Sequence, residues 1–312
     1  MDVPRDSGAL LEADEKNKRS VITVEKLKFI GVKEKDIYNI TAPFYEEARS
    51  VIAGRVESRE NEESYVAFFE YVDGNWRIRE DMPTFPLQDP FITKIDGQLI
   101  FGGVKVLKGQ SGQVTWRTVL YRGESVRSLV PFFEGPIGMK DLRLAQLENG
   151  KVLVLTRPLG QKGGRGKIGY LLLSSLDELD VKKLEEAPLL DGQFSDEEWG
   201  GANEIHLLKN GHVGVLGHIA HFDEYGHRHY YSMIFTLDPQ TGSHTPIEVI
   251  ARRENFVDGP AKREDLKDIV FSGGAIRVDS KLVLYAGTSD TEAQKMVLND
   301  PFEKYEKLEA VN

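Results

Sequence analysis

The feature that most constrains this chain is a hairpin that returns five times. Each copy starts on a polar residue, runs into an apolar strand, turns, and sends back a second apolar strand. The clear copies are "DPFITKIDGQLIFGG" from Asp89, "DLRLAQLENGKVLVLTRP" from Asp141 and "NEIHLLKNGHVGVLGH" from Asn203. Weaker ones are "NITAPFYEEARSVIAGRVE" from Asn39 and "SGGAIRVDSKLVLYAGTSD" from Ser272. Eight residues on from Asn39, Asp89, Asn203 and Ser272 stand Glu47, Gly97, Gly211 and Ser280, and Gly150 follows Asp141 by nine. Glycine supplies the positive φ of a tight hairpin turn without steric cost. More short strands follow each hairpin, such as "YVAFFEYVDGNWRI" and "VTWRTVLYRG", and the starts are 50, 52, 62 and 69 residues apart. Units of about four antiparallel strands at this period predict an all-β fold, a five-bladed β-propeller. A double-sheet sandwich also gives many short strands, but it offers no reason for five matching registers.

The repeat runs without a visible linker, which predicts one propeller domain over 21–312 preceded by a polar, flexible arm over 1–20. The chain has 312 residues, 40% of them hydrophobic and 29% charged, enough apolar content for a large core. Its formal net charge of −10 argues against nucleic-acid or anionic-membrane partners, which select basic surfaces. It has no cysteine, so disulfides, thiolate metal sites and a cysteine nucleophile are excluded. The start "MDVPRDSGALLEADEKNKRS" is too charged for a signal peptide and no apolar run reaches membrane-spanning length, so a cytoplasmic location is expected. The pattern sets no oligomeric state.

In an antiparallel hairpin the start of the first strand and the end of the second share one edge. If first strands line a central channel, Asn39, Asp89, Asp141 and Asn203 ring one mouth. About sixteen residues on lie the return ends: Arg55, Lys105, Arg157 and His218, with Thr288 in the fifth unit. Carboxylates and amides suit sugar hydroxyls, because one accepts and the other both donates and accepts. The adjoining cations suit phosphate. Mutual capping and pairing of these residues is the structural alternative.

Other motifs carry less. "RPLGQKGGRGKIG" holds Arg157, Lys162, Arg165 and Lys167 and no acid. Its Gly164-x-Gly166-x-x-Gly169 spells a dinucleotide fingerprint, but a strand follows where that motif needs a helix. A basic loop overhanging the mouth is the better reading. All seven histidines lie between His206 and His244. His218 and His221 are three apart and point to opposite faces of a strand, so no metal or other cofactor is expected. Asp141 and Arg143 share a face, as an ion pair or a substrate clamp. Trp199 reads as core or as a sugar-stacking platform. Asp290 either caps a helix beginning in "DTEAQKMVL" or faces the channel.

"QDPFITKIDG", "KDLRL", "GGRGKIGY", "WGGANEIHLLKNGHVGVLGHIA" and "YAGTSDTEAQ" resemble the family catalogued as domain of unknown function 1861. That family is associated with the β-1,2-mannan glycosyltransferase-phosphorylases of glycosyltransferase family 108. Those enzymes are similar in fold to the mannoside phosphorylases of glycoside hydrolase family 130, which are five-bladed propellers. The resemblance runs from about residue 25 to about 303. It implies an inverting β-1,2-mannoside phosphorylase or mannosyltransferase that uses phosphate or mannose 1-phosphate with a mannose-containing oligosaccharide. Asp89, in the Asp-Pro pair, matches the family's general acid. Asn39, Asp141, Arg143, Asn203 and Asp290 would then bind sugar, and Arg55, Lys105, Arg157 and His218 phosphate. A channel-site glycoside hydrolase and a non-catalytic carbohydrate-binding propeller remain as alternatives.

Overall fold

The structure, a computed structural model, describes residues 6–17, 21–60, 63–109 and 112–307. It is all-β in character: its strands form four sheets, antiparallel except where β2 meets β7 and β17 meets β19, and are grouped in chain order as five units. After α1 (Ser7–Asn17) and β1 (Val21–Lys26), the first unit comprises β2 (Phe29–Ile30), β3 (Asp36–Tyr38), β4 (Phe44–Glu46), β5 (Arg49–Glu57), β6 (Ser64–Val72) and β7 (Asn75–Ile78). The second is β8 (Gln88–Ile95), β9 (Gln98–Lys108), β10 (Val114–Gly123) and β11 (Val130–Glu134). The third holds β12 (Arg143–Gln146), β13 (Val152–Thr156), α2 (Gly160–Gly163), β14 (Gly169–Leu173) and α3 (Val181–Glu186). The fourth is β15 (Glu198–Leu207), β16 (Val213–Phe222), β17 (Arg228–Leu237) and β18 (Glu248–Ala251), and the fifth β19 (Asp268–Val278), β20 (Lys281–Thr288) and β21 (Glu292–Asn299). β1 pairs with β21, so the N-terminal strand becomes the outer strand of the last unit.

The predicted turns fall where the spacing put them. Glu47, Gly97, Gly150, Gly211 and Ser280 all have positive φ, although two of them are not glycine. At Asp96 and Gly97 both central residues are left-handed, as a twist-matched two-residue hairpin turn requires. The charged excursion after β14 carries α3, capped by Asp180, whose carboxylate accepts from the Lys182 and Lys183 amides.

Burial follows the junctions between units. One apolar cluster joins Val51, Ala53 and Phe68 of the first unit to Leu99, Phe101 and Val119 of the second. Others join the second to the third, the third to the fourth and the fourth to the fifth. A fifth cluster joins Ile37, Ile52 and Phe69 of the first unit to Tyr285 and Ala293 of the last. That junction is tight. A Cβ on Gly273 would stand 1.6 Å from the Ile40 carbonyl oxygen, so only glycine fits there.

Two expectations change. Within the supposed flexible arm, Ser7–Asn17 is helical and Leu10 is buried among Leu153, Val249 and their neighbours. Leu10, with Leu11 packed beside it, docks the helix, while 1–5 and 18–20 lie outside the described residues. "DTEAQKMVL" forms strand β21 rather than a helix, because its alternating burial against β20 and β1 outweighs helix propensity. Asp290 therefore caps no helix. Among the described residues no helix is long and apolar enough to cross a membrane.

Candidate active site

The first strands of several units break register at the same level. β8 shifts between Gln88 and Phe91, β15 between Ala202 and Glu204, and β19 between Ser272 and Gly274. Such bulges re-aim side chains out of the sheet plane. Asn39, Asp89 and Asp141 each carry positive φ, 45°, 50° and 59°. Asn and Asp tolerate this region better than other L-residues, yet it costs energy, and such strain concentrates at functional sites. These three are buried, and so are Asn203, Arg55, Arg157 and His218.

They form two clusters. In the first, Asp89 Oδ1 accepts from Asn39 Nδ2 at 2.7 Å and from Arg55 Nη1 at 3.2 Å. Both bonds fall on one oxygen, leaving Oδ2 free of them. Arg55 is gripped from behind by Glu57, whose Oε2 accepts from Arg55 Nε at 3.0 Å. Glu57 Oε1 accepts from the Tyr38 hydroxyl at 2.8 Å and also from Lys262. Burial opposes the charge on Glu57, but Arg55, Lys262 and Tyr38 outweigh it and hold the carboxyl below the usual range. Asp290 lies among Arg55, Asp89, Glu57 and Lys262. Burial raises its carboxyl to about 6; Arg55 opposes this and the two neighbouring carboxylates add to it.

The second cluster centres on Asp141, 3.3 Å from Arg157 and 3.8 Å from Arg143. Burial pushes its carboxyl up, but Lys140, Arg157 and Arg143 together bring it down to about 2. Arg143 is spent on structure: its Nε donates to the Asn203 carbonyl at 2.7 Å and its Nη1 to that of Leu142 at 2.9 Å. Arg157 Nε donates to the Gly200 carbonyl at 2.7 Å, which leaves Nη1 beside Asp141 with no hydrogen bond of good geometry. His218 Nδ1 donates to Asn203 Oδ1 at 2.9 Å. Burial above all lowers His218 to about 3, so it is neutral with Nε2 as an acceptor. Both Asp141 oxygens and Asn203 Nδ2 also lack hydrogen-bond partners. Buried polar atoms are seldom left so, and several together make this cluster a candidate to contact a ligand or ordered water. Gly201 lets these groups close up on the strand, since a Cβ there would press on Arg157, His218 and Asp141.

Lys105 is not brought to either cluster. It pairs with Glu134 at 3.3 Å and its side chain is 43% exposed. In the first unit Arg55 stands opposite Tyr38, the residue before Asn39; in the second, Val104 stands opposite Gln88, the residue before Asp89. Lys105 is thus one step too far along its strand and faces the other side. The basic loop is pinned rather than free: Arg165 pairs with Glu197 at 3.0 Å, Lys167 with Asp196 at 3.8 Å, and Lys162 donates to the Glu185 carbonyl. Its Gly166 packs on the Arg157 guanidinium, where a Cβ would lie 2.7 Å from Nη2. Four participants were missed from sequence. Glu57 is two residues from Arg55 on one strand, a period-two signal. Tyr38 and Lys140 each adjoin a singled-out residue, whereas Lys262 sits in a loop that nothing local connects to Glu57. Among the described residues no group of three His, Asp or Glu is placed to hold a metal ion.

The family model described as Protein of unknown function (DUF1861) matches residues 13–304. A mannose phosphorylase from Leishmania mexicana, MPT-4, whose structure contains a phosphate ion, is 33% identical, covers 96% of this chain and 94% of its own, and superposes with a TM-score of 0.88. MPT-1, a GDP-Man-dependent mannosyltransferase from the same organism, is 31% identical with 95% of each chain covered and a TM-score of 0.86. A β-1,2-mannobiose phosphorylase from Listeria innocua shares the fold at 15% identity, with a TM-score of 0.62 over 92% of this chain and 94% of its own. Comparison with curated proteins gives no significant match.

Proposed function

The chain belongs to the DUF1861 family, and from that premise we propose that it is a mannoside phosphorylase, an enzyme moving a mannosyl unit between a β-1,2-linked mannoside and phosphate. The observation that carries this reading is the pairing of two buried clusters. One presents a carboxylate with a free oxygen, the other a guanidinium and amide with unspent donors. Five apolar junctions, including the fifth unit with the first, and the β1–β21 pairing support a five-bladed propeller that turns both clusters toward one channel.

In phosphorolysis a phosphate oxygen attacks the anomeric carbon, and the glycosidic bond breaks from the opposite side with inversion. The departing oxygen takes a proton from the protonated Asp89 carboxyl, whose Oδ2 is the oxygen not engaged by Asn39 and Arg55, and the proton released by the attacking hydrogen phosphate restores the acid. Arg157, backed by Arg143 and Lys140, supplies the positive field for the phosphate dianion, and the single charge of Asp141 offsets only part of it. Neutral His218 accepts from a sugar or phosphate hydroxyl, while Asn39 and Asn203 hold sugar hydroxyls. The products are mannose 1-phosphate and the shortened sugar. The reverse direction balances equally.

A second reading, transfer from GDP-mannose, is favoured by the nearly equal identity to a GDP-Man-dependent mannosyltransferase. Incubation with β-1,2-mannobiose, with and without phosphate, separates the readings. Mannose 1-phosphate appearing only with phosphate is the expected result. Free mannose without phosphate would make the protein a hydrolase. Transfer from GDP-mannose with no phosphorolysis would make it a nucleotide-sugar transferase, and no turnover of any manno-oligosaccharide would leave a binding protein.

A further inference from the structure

The fourth unit continues past the site. Asn203 and His218 belong to the buried cluster, yet β15 begins five residues before Asn203 and β16 runs four beyond His218. On β16 the residues His218, Ala220 and Phe222 share one face, since side chains alternate along a strand. Their cross-strand partners on β15 are Gly201 and Trp199, opposite His218 and Ala220. On β17 Tyr230 and Arg228 lie opposite Ala220 and Phe222. One sheet face therefore carries a strip from His218 through Tyr230 and Trp199 to Phe222, about 13 Å long at the rise of a strand.

The strip is braced at every step. Tyr230 stacks on His218 with centroids 5.5 Å apart and 21° between planes. Trp199 Nε1 donates to the Tyr230 hydroxyl at 3.0 Å, and the Trp199 ring lies 4.7 Å from that of Phe222. Phe222 nevertheless stays 41% exposed at the outer end. The Arg165 and Arg228 guanidiniums lie 5.7 and 5.5 Å from its centre. Neither cation is unspent: Arg165 pairs with Glu197 at 3.0 Å and Arg228 with Asp265. A patch with aromatic faces, guanidinium donors and balanced charge suits a neutral ligand that has C–H faces and hydroxyls. A phosphate or nucleotide would call for unspent hydrogen-bond donors on a buried cation, as at Arg157 Nη1.

We infer that the outer end of this strip, Tyr230 and Phe222 braced from below by buried Trp199, is a distal subsite, with Phe222 as its platform, for the far sugar units of a neutral oligosaccharide whose reacting end lies between Asp89 and Arg157. The inference rests on the phosphorylase reading and adds to it a preference for chain length.

The test compares kcat/KM for phosphorolysis of β-1,2-mannobiose and β-1,2-mannotetraose by the full chain and by Phe222→Ala. The tetraose-to-biose ratio is expected to fall about five- to tenfold in the variant, the scale of one lost aromatic stacking contact. Phe222→Tyr, which keeps the ring, should restore it. An unchanged ratio in Phe222→Ala would overturn the inference. Should the unaltered protein turn over neither sugar, the phosphorylase reading falls, and calorimetric binding of the tetraose still decides the subsite: weaker binding by Phe222→Ala supports it, equal binding overturns it. A raised KM for GDP-mannose in that variant, with the oligosaccharide unaffected, would also overturn the neutral-chain assignment.

Discussion

The two halves of the candidate site are built from the same residue types in the same hairpin positions, and they differ in how far their polar atoms are satisfied: Asn39 Oδ1 lacks a partner beside Asp89, and several atoms lack one around Asp141. Around Asp89 most groups have partners: Asn39 and Arg55 on one carboxylate oxygen, Glu57 behind Arg55, Tyr38 and Lys262 behind Glu57. Around Asp141 the packing is equally close, but both carboxylate oxygens, Arg157 Nη1 and Asn203 Nδ2 have no hydrogen-bond partner. A chain of satisfied bonds fixes a group in place, which is what proton delivery needs. A set of buried donors without partners favours a ligand that brings its own oxygens. Under the proposed function the difference becomes a division of labour: the first half would deliver the proton and the second receive the anion.

The sharpest way to break that division is at the two carboxylates. Asp89→Asn should lower kcat by at least about 100-fold, the usual scale for losing a general acid. A larger kcat loss in Asp141→Asn than in Asp89→Asn, measured by release of mannose 1-phosphate, would reverse the assignment. Arg157→Ala comes next. It should raise the KM for phosphate about 10- to 100-fold, the scale of a lost charge-assisted hydrogen bond, with a smaller change in kcat. A fall in kcat with the phosphate KM unchanged would move Arg157 out of the anion site.

A smaller effect should come from pH. Asp290 gains its charge only near pH 6, because burial raises its carboxyl to about 6. Its folded-state value thus lies above the ordinary carboxylate value, so the folded protein holds this proton more tightly. The associated stability is present at low pH and is lost as pH rises through about 6. Above that pH a new negative charge stands beside Arg55 and Asp89. The pH profile of kcat/KM should therefore show a severalfold step near 6 that vanishes in Asp290→Asn. A step that persists in the variant belongs to another group. His218 cannot supply it, since burial lowers it to about 3.

Most of the fold was legible because hairpin turns are local. Turn positions at Glu47 and Ser280 could be placed without glycine, from spacing alone, and both proved left-handed. The strand-start positions Asn39, Asp89, Asp141 and Asn203 were legible for the same reason, and all four are buried. What spacing alone does not specify is how many residues each bulge absorbs, and this moved Lys105 to the wrong face. The helix Ser7–Asn17 was hidden because its stability comes from Leu10 packing on a distant unit rather than from any long amphipathic pattern. Lys262 and Glu57 are 205 residues apart, and a contact of that range leaves no trace in local periodicity.

Lys105 gives the smallest expected effect, and for that reason a sharp control. It stands sixteen residues after Asp89, just as Arg55 follows Asn39 and Arg157 follows Asp141. By spacing alone the three cations are equivalent. By register they are not, for Lys105 reaches Glu134, which Arg117 also engages, at a partly exposed edge. An exposed ion pair of this kind contributes little, about 0–1 kcal/mol. Lys105→Ala should therefore change the phosphate KM by less than about twofold, against the large rise expected for Arg157→Ala. A rise comparable to that of Arg157→Ala would mean that Lys105 swings into the channel when phosphate binds, and the spacing would then be the better guide than the register.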